Sequence, residues 1–187
     1  NVRLIIQPIL RALVYMKDAK VIHRDISPRN ILCTKLFFPV QVKLADFGIS
    51  TEIVNDAILP REVTGSHLYV APEVIKAEAY DYAIDMWSLG VVLFLLLRTR
   101  HPFFGSTRQQ VLDSVSASMP DFSHRKWKSV SDESRNLVMD MLRNDPRFRP
   151  TPETALQHAW FRLPDSALKK NRIYADWLSV GARPHGQ

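Results

Sequence analysis

A single cysteine, Cys33, stands among the 187 residues of this chain. One thiol excludes a disulfide framework and favours a reducing compartment, so an intracellular setting, cytoplasm or nucleus, is the natural expectation. Long hydrophobic runs are missing too. The most apolar stretch, Leu89 to Leu97, is about half the length that crosses a bilayer, so no membrane association is expected. No secretory signal is visible at Asn1, where a shortened chain would have lost it. The net charge is +6, yet Lys and Arg are scattered and never interleaved with aromatics in one stripe. That pattern reads as solvated surface and argues against a nucleic-acid partner. Internal repeats and low-complexity segments are absent. What is present, 46% hydrophobic and 24% charged residues over a length that suits one domain, is enough to bury a core. Only Pro164-Asp165 and the run from Gly181 to Gln187 read as a boundary or a loose end.

Periodicity places the elements. Leu4, Ile5, Ile9, Leu10, Leu13 and Met16 recur at helical spacing and predict an amphipathic helix over 2–17. Ile31-Leu32-Cys33 and Val40 to Leu44 read as two short strands around a turn near Phe38-Pro39. From Ser50 to Tyr69 no period is sustained, which predicts a long functional loop. Helices follow: Asp85 to Leu97 is apolar on every face and must be buried all round. Thr107, Ser131 and Thr151 each open a further helix as capping residues.

The chemically suggestive residues fall in three strings. His23-Arg24-Asp25 is followed five residues past the aspartate by Asn30; then come Asp46-Phe47-Gly48 and Ala71-Pro72-Glu73. Taken singly, Asp25, Asn30 or Asp46 is an ordinary loop carboxylate or turn cap. Taken in this order and spacing, the set is hard to obtain by chance. Two acids and an amide suit phosphoryl transfer, which needs metal at the phosphates, an acceptor for a hydroxyl proton and in-line positioning.

Together these strings resemble the eukaryotic protein-kinase family, over about Asn1 to Leu163. The resemblance implies a mainly α fold: the helical C-terminal lobe of a kinase domain over 1–163 with a small β-hairpin element, then a tail over 164–187 with room for a short helix. It implies a protein serine/threonine kinase that moves the γ-phosphate of ATP to hydroxyls of a protein substrate, with Mg2+ as cofactor. Asp25 matches the catalytic base, and Asn30 and Asp46 the metal and nucleotide ligands. Leu32 matches the side chain beneath the adenine, and Ser27 the position facing the γ-phosphate. His23 and Phe47 match a stacked regulatory spine. Asp85, in Asp85-Met86-Trp87-Ser88-Leu89-Gly90, matches the acid that ties the catalytic loop to a buried helix, and Arg149 the partner of Glu73. These structural residues are expected to behave as core or anchor.

Within the family, Trp127, Ser131 to Asp140, Asp145-Pro146 and Ala155 to Phe161 resemble the calcium/calmodulin-dependent group, with phosphorylase kinase catalytic subunits and checkpoint kinases among its similar members. Gly65 to Val70 resembles the substrate loop of serine/threonine kinases, lacking the Pro and Trp usual in tyrosine kinases, although Arg29 is a tyrosine-kinase feature. Three departures stand out. Ser27 replaces a Lys whose charge such sites use, and its usual Thr partner is Ser66. Arg29 replaces a Glu that reads an upstream Arg in many members, which favours an acidic or neutral neighbour to the target. Arg24 is suited to gather a loop phosphate from Thr64, Thr51 or Ser50. The charge of Glu62 could equally stand in for that phosphate, or Glu62 could simply face solvent beside Arg61.

The family's Gly-rich loop, strand Lys and helix Glu would lie upstream of residue 1, in an N-terminal lobe this chain lacks. The chain alone is therefore expected to bind ATP weakly and turn over negligibly, as a shortened record or a natural short product. An alternative reading is a pseudokinase or scaffold, to which Ser27 and the missing lobe point. The basic run Leu168 to Ile173 with Trp177 faintly resembles a calmodulin-binding helix. Such runs are usually surface helices, so calmodulin is a testable partner but not the expected one.

Overall fold

The computed structural model describes residues 2–35, 41–53, 66–103, 105–117, 120, 122, 127 and 130–164. Its first element is helix α1, Arg3–Asp18. The helical spacing of apolar residues buries Ile5, Ile6, Ile9, Leu10, Leu13 and Met16 on one face. Leu4 is only half-buried, and Ile6 takes its expected place. Pro8 removes one backbone donor from the middle of this helix, yet the helix continues, because tertiary packing outweighs local propensity.

Helix α2, Pro72–Ile75, begins with Pro at its first position, where the missing N–H costs nothing. Helix α3, Ala83–Arg98, runs through the centre with almost every side chain buried. Helix α4, Arg108–Ala117, starts at Thr107, whose hydroxyl accepts the Gln110 N–H at 3.2 Å. Helices α5, Asp132–Met141, and α6, Pro152–Leu156, are capped in the same way by Ser131 and Thr151. A last turn, α7, Ala159–Arg162, packs on α5. α3 and α5 meet at Gly90, where a Cβ would stand 2.8 Å from the Met141 Cβ. A side chain there would force the two helices apart.

Among the described residues, four short strands hold the loops. β1, Val21–Ile22, pairs antiparallel with β4, Thr51–Glu52, and β2, Ile31–Lys35, pairs antiparallel with β3, Gln41–Leu44. The loop 23–30 therefore leaves β1 and enters β2, while the loop 45–50 leaves β3 and enters β4. Pairing β1 with β4 and β2 with β3 fastens both ends of one loop beside both ends of the other. β4 corrects the expectation of an unbroken loop from Ser50 to Tyr69. Two residues are too few to show a period, and their partner lies thirty positions away in β1. The turn expected near Phe38-Pro39 lies outside the described residues.

The fold is closed over a long span of sequence by Glu73 and Arg149, both buried. Arg149 Nη1 and Nη2 donate to the two Glu73 oxygens at 2.6 and 2.8 Å. Its other donors reach the carbonyls of Ala83, Arg143 and Asn144. The guanidinium carbon stands 5.0 Å from the Trp87 ring centroid. All five N–H groups are satisfied, the condition under which a buried charge is tolerated.

Candidate functional site

The site is built where the two fastened loops face each other. Arg24 and Asp46 both have left-handed backbones, φ 67° and 63°, a conformation costing about 1 kcal/mol or more for a residue with a Cβ. Asp85 on α3 holds the first of them: its carboxylate accepts the His23 N–H at 2.8 Å and the Arg24 N–H at 3.0 Å. Burial pushes the Asp85 carboxyl up to about 6, and the two N–H groups and the Arg24 charge work against that push. Asp46 uses its own Oδ1 to accept the Gly48 N–H at 3.2 Å.

His23 is fully buried and orders what surrounds it. Its Nε2 stands 3.1 Å from the Ala45 carbonyl, which can only accept, so Nε2 carries the proton. Nδ1 is then free to accept the Asp25 N–H at 3.3 Å. Burial depresses the affinity of this imidazole for a second proton, and the charges of Asp25 and Asp46 both reach the ring and oppose that effect. The ring also lies 4.9 Å from Phe47, tilted by 58°.

Asp25 is fixed at both oxygens. Oδ1 accepts the backbone N–H of Ser66 at 2.9 Å, and Oδ2 accepts Asn30 Nδ2 at 2.9 Å. The same Nδ2 lies 2.8 Å from the Asp25 carbonyl. Both partners are acceptors, which fixes the Asn30 amide with its oxygen turned away from Asp25. The Asn30 carbonyl accepts the Ala45 N–H at 2.8 Å, so Asp46 is docked one residue away. Asp25 and Asn30 are in direct contact, and Asp46 stands on the neighbouring loop between Ala45 and Phe47, both of which touch His23.

Other expected residues behave differently. Phe47 and Leu32 are 51% and 48% exposed; Phe47 keeps its ring against His23, and Leu32, on β2, leaves about half of its surface open. Ser27, expected to face a nucleotide, is buried at 1% exposure and its hydroxyl has no partner among the described residues. A Lys stem would reach out from this position, whereas a serine side chain is too short to do so. Arg24 is already engaged, its Nε donating to the Ile49 carbonyl at 2.5 Å and Nη1 to the Tyr80 hydroxyl at 3.3 Å. The Ser50 hydroxyl donates to the His23 carbonyl at 3.3 Å. Glu62 and Thr64 lie outside the described residues, as does the run 168–177. Sequence reasoning missed the Ser66 main-chain donor, which carries no side-chain signal, and Tyr80 behind Arg24.

Among the described residues no cluster of three or more His, Cys, Asp or Glu forms a metal site. Asp46 and the outward amide oxygen of Asn30 are nonetheless a chemically suitable pair. Magnesium takes hard oxygen ligands, usually keeps several waters, and completes its shell with phosphate oxygens and not with a protein cage. Among the described residues no helix is long and apolar enough to cross a membrane.

The protein kinase domain family matches residues 1–161. The chain is 34% identical over 157 residues to the calcium/calmodulin-dependent protein kinase cmkA of Emericella nidulans, covering 84% of this chain and 38% of that protein. It is 37% identical to calcium-dependent protein kinase 2 of Zea mays, over 80% of this chain and 29% of the relative. Myosin light chain kinase A of Dictyostelium discoideum is 31% identical, over 87% of this chain and 55% of the relative. The chain thus spans well under two thirds of the length of the relatives it matches. A match over residues 1–161 that takes in both facing loops and the buried Glu73–Arg149 pair leaves one assignment: this chain belongs to the protein kinase family and is similar to its calcium- and calmodulin-dependent members.

Proposed function

We propose that this protein is an ATP-dependent serine/threonine protein kinase of the calcium/calmodulin-dependent type. The observation that carries the reading is the Asp25 carboxylate, held from two sides by Asn30 and the Ser66 N–H with the Asp46 loop docked alongside. Each Asp25 oxygen has one hydrogen bond and keeps capacity to accept another, so the carboxylate can orient an incoming hydroxyl and take its proton. Asn30 and Asp46 would hold Mg2+. When bound, that ion neutralises charge on the phosphate oxygens. His23 fixes both loops without touching the reactants, and the half-exposed Leu32 offers an apolar surface for a base.

Serine and threonine are favoured as acceptors by the loop Gly65 to Val70, which lacks the Pro and Trp of tyrosine-directed members. Protein substrates follow from the family, and residence inside the cell from the lone Cys33. The test is γ-phosphate transfer by the full-length protein to mixed Ser/Thr peptides. Asp25→Asn should lower the rate by about a hundredfold or more, the usual weight of a general base. Equal rates from wild type and variant would end the enzyme reading.

A further inference from the structure

Two polar side chains leave the buried helix α3 one turn apart on the same face. Asp85 takes the N–H groups of His23 and Arg24, directly before Asp25. Ser88 reaches the other flank of the same carboxylate. It is only 6% exposed, and its hydroxyl donates to the Tyr69 carbonyl at 2.8 Å. The Tyr69 N–H in turn donates to the Ser66 carbonyl at 2.8 Å and closes the turn 66–69. The Ser66 N–H then donates to Asp25 Oδ1 at 2.9 Å. Successive hydrogen bonds therefore run from the central helix to the Asp25 carboxylate, and Asp25, Ser66, Tyr69 and Ser88 all line one small cavity.

A buried serine in a helix has a simpler use, a bond back to the carbonyl one turn earlier. The Ser88 hydroxyl does lie 3.1 Å from the Ile84 carbonyl. It has one proton for two acceptors, and Tyr69 is the closer. The bond to Tyr69 ties a turn to a helix, which a bond to Ile84 inside the same helix does not. On the kinase reading above, we propose that Ser88 is a positioning residue for the reaction: from α3 it holds the turn 66–69 so that the Ser66 N–H keeps Asp25 Oδ1 fixed while Oδ2 rests on Asn30. Asp85 and Ser88 share one rigid helix, so the catalytic loop and the turn are placed from a common base. A hydroxyl arriving at Asp25 then meets a carboxylate of set direction, and small misplacements at such a point are costly in rate. Ser88 touches no reactant, and losing its hydroxyl leaves Asn30 and Asp46 as they are.

The test uses the full-length protein with Ser88→Ala and with Ser88→Thr, which keeps the hydroxyl and sets its extra methyl beside the small cavity. Ser88→Ala should lower kcat about tenfold, the scale of one lost hydrogen bond. The KM for ATP should stay the same, and the thermal midpoint should fall by no more than a few degrees. Ser88→Thr should restore most of the rate. In proton–nitrogen NMR spectra the Ser66 amide proton, drawn downfield by its carboxylate acceptor, should move upfield in Ser88→Ala and hold its place in Ser88→Thr. Wild-type kcat in Ser88→Ala, a loss shared equally by Ser88→Thr, or a fall in kcat with the Ser66 amide unmoved overturns the inference. The amide signal needs no phosphoryl transfer, so a protein that shows the shift without phosphorylating peptides loses the kinase reading and keeps the link from helix to carboxylate.

Discussion

Asp85 shows how much a single residue can position. It is buried, it carries no chemistry in the proposed reaction, and it holds two consecutive N–H groups at the start of the catalytic loop. Asp85→Ala leaves both N–H groups without their acceptor beside the left-handed Arg24. Phosphotransfer should then fall by far more than the thermal midpoint implies, because loop geometry is lost before the core is; parallel losses would show Asp85 to be only a stability residue. The sign of its pH effect also follows. With the folded carboxyl near 6 and an ordinary value of 3.8, the folded state holds more protons between about pH 4 and 6, so stability falls as pH rises through that window. His23 acts oppositely, since its folded form resists protonation and stability falls as pH drops below 6.5. The stability of wild type minus that of Asp85→Asn cancels the shared titrations. That difference should be largest near pH 4 and shrink towards pH 6, as urea unfolding at several pH values would show. A flat difference would contradict the account.

At the scale of elements, legibility followed locality. The cap residues Thr107, Ser131 and Thr151 announced α4, α5 and α6 because a cap and its helix are neighbours in sequence. The all-apolar run announced α3 for the same reason. β4 was invisible because its existence depends on β1, and Ser27 could not be read as buried because inward or outward direction is set by the fold. Gly90 was matched as part of a motif, but its work, the close approach of α3 to Met141, appears only in three dimensions. Gly90→Val should destabilise the protein by about 2 kcal/mol through overpacking. Chemical denaturation checks this, and an unchanged midpoint would mean that α3 and α5 separate without cost.

Over the whole molecule, the three motifs are distant in sequence and are joined by a few buried polar contacts. Glu73 and Arg149 form one of these links, and the sequence resemblance foresaw their pairing but not the three carbonyls that complete the guanidinium. Removing one partner of such a pair strands a buried charge. Glu73→Gln should therefore cost about 3 kcal/mol or more, measured by denaturant unfolding.

The central claim is that Asp25, Asn30 and Asp46 serve one site, with the first facing the acceptor and the other two the metal. Mn2+ in place of Mg2+ makes it measurable, through the enhancement of water-proton relaxation when Mn-ATP binds the full-length protein. The account predicts that enhancement is lost in Asp46→Asn, weakened in Asn30→Ala and retained in Asp25→Asn, whose phosphotransfer nevertheless falls about a hundredfold or more. Undiminished Mn-ATP binding by Asp46→Asn would contradict it.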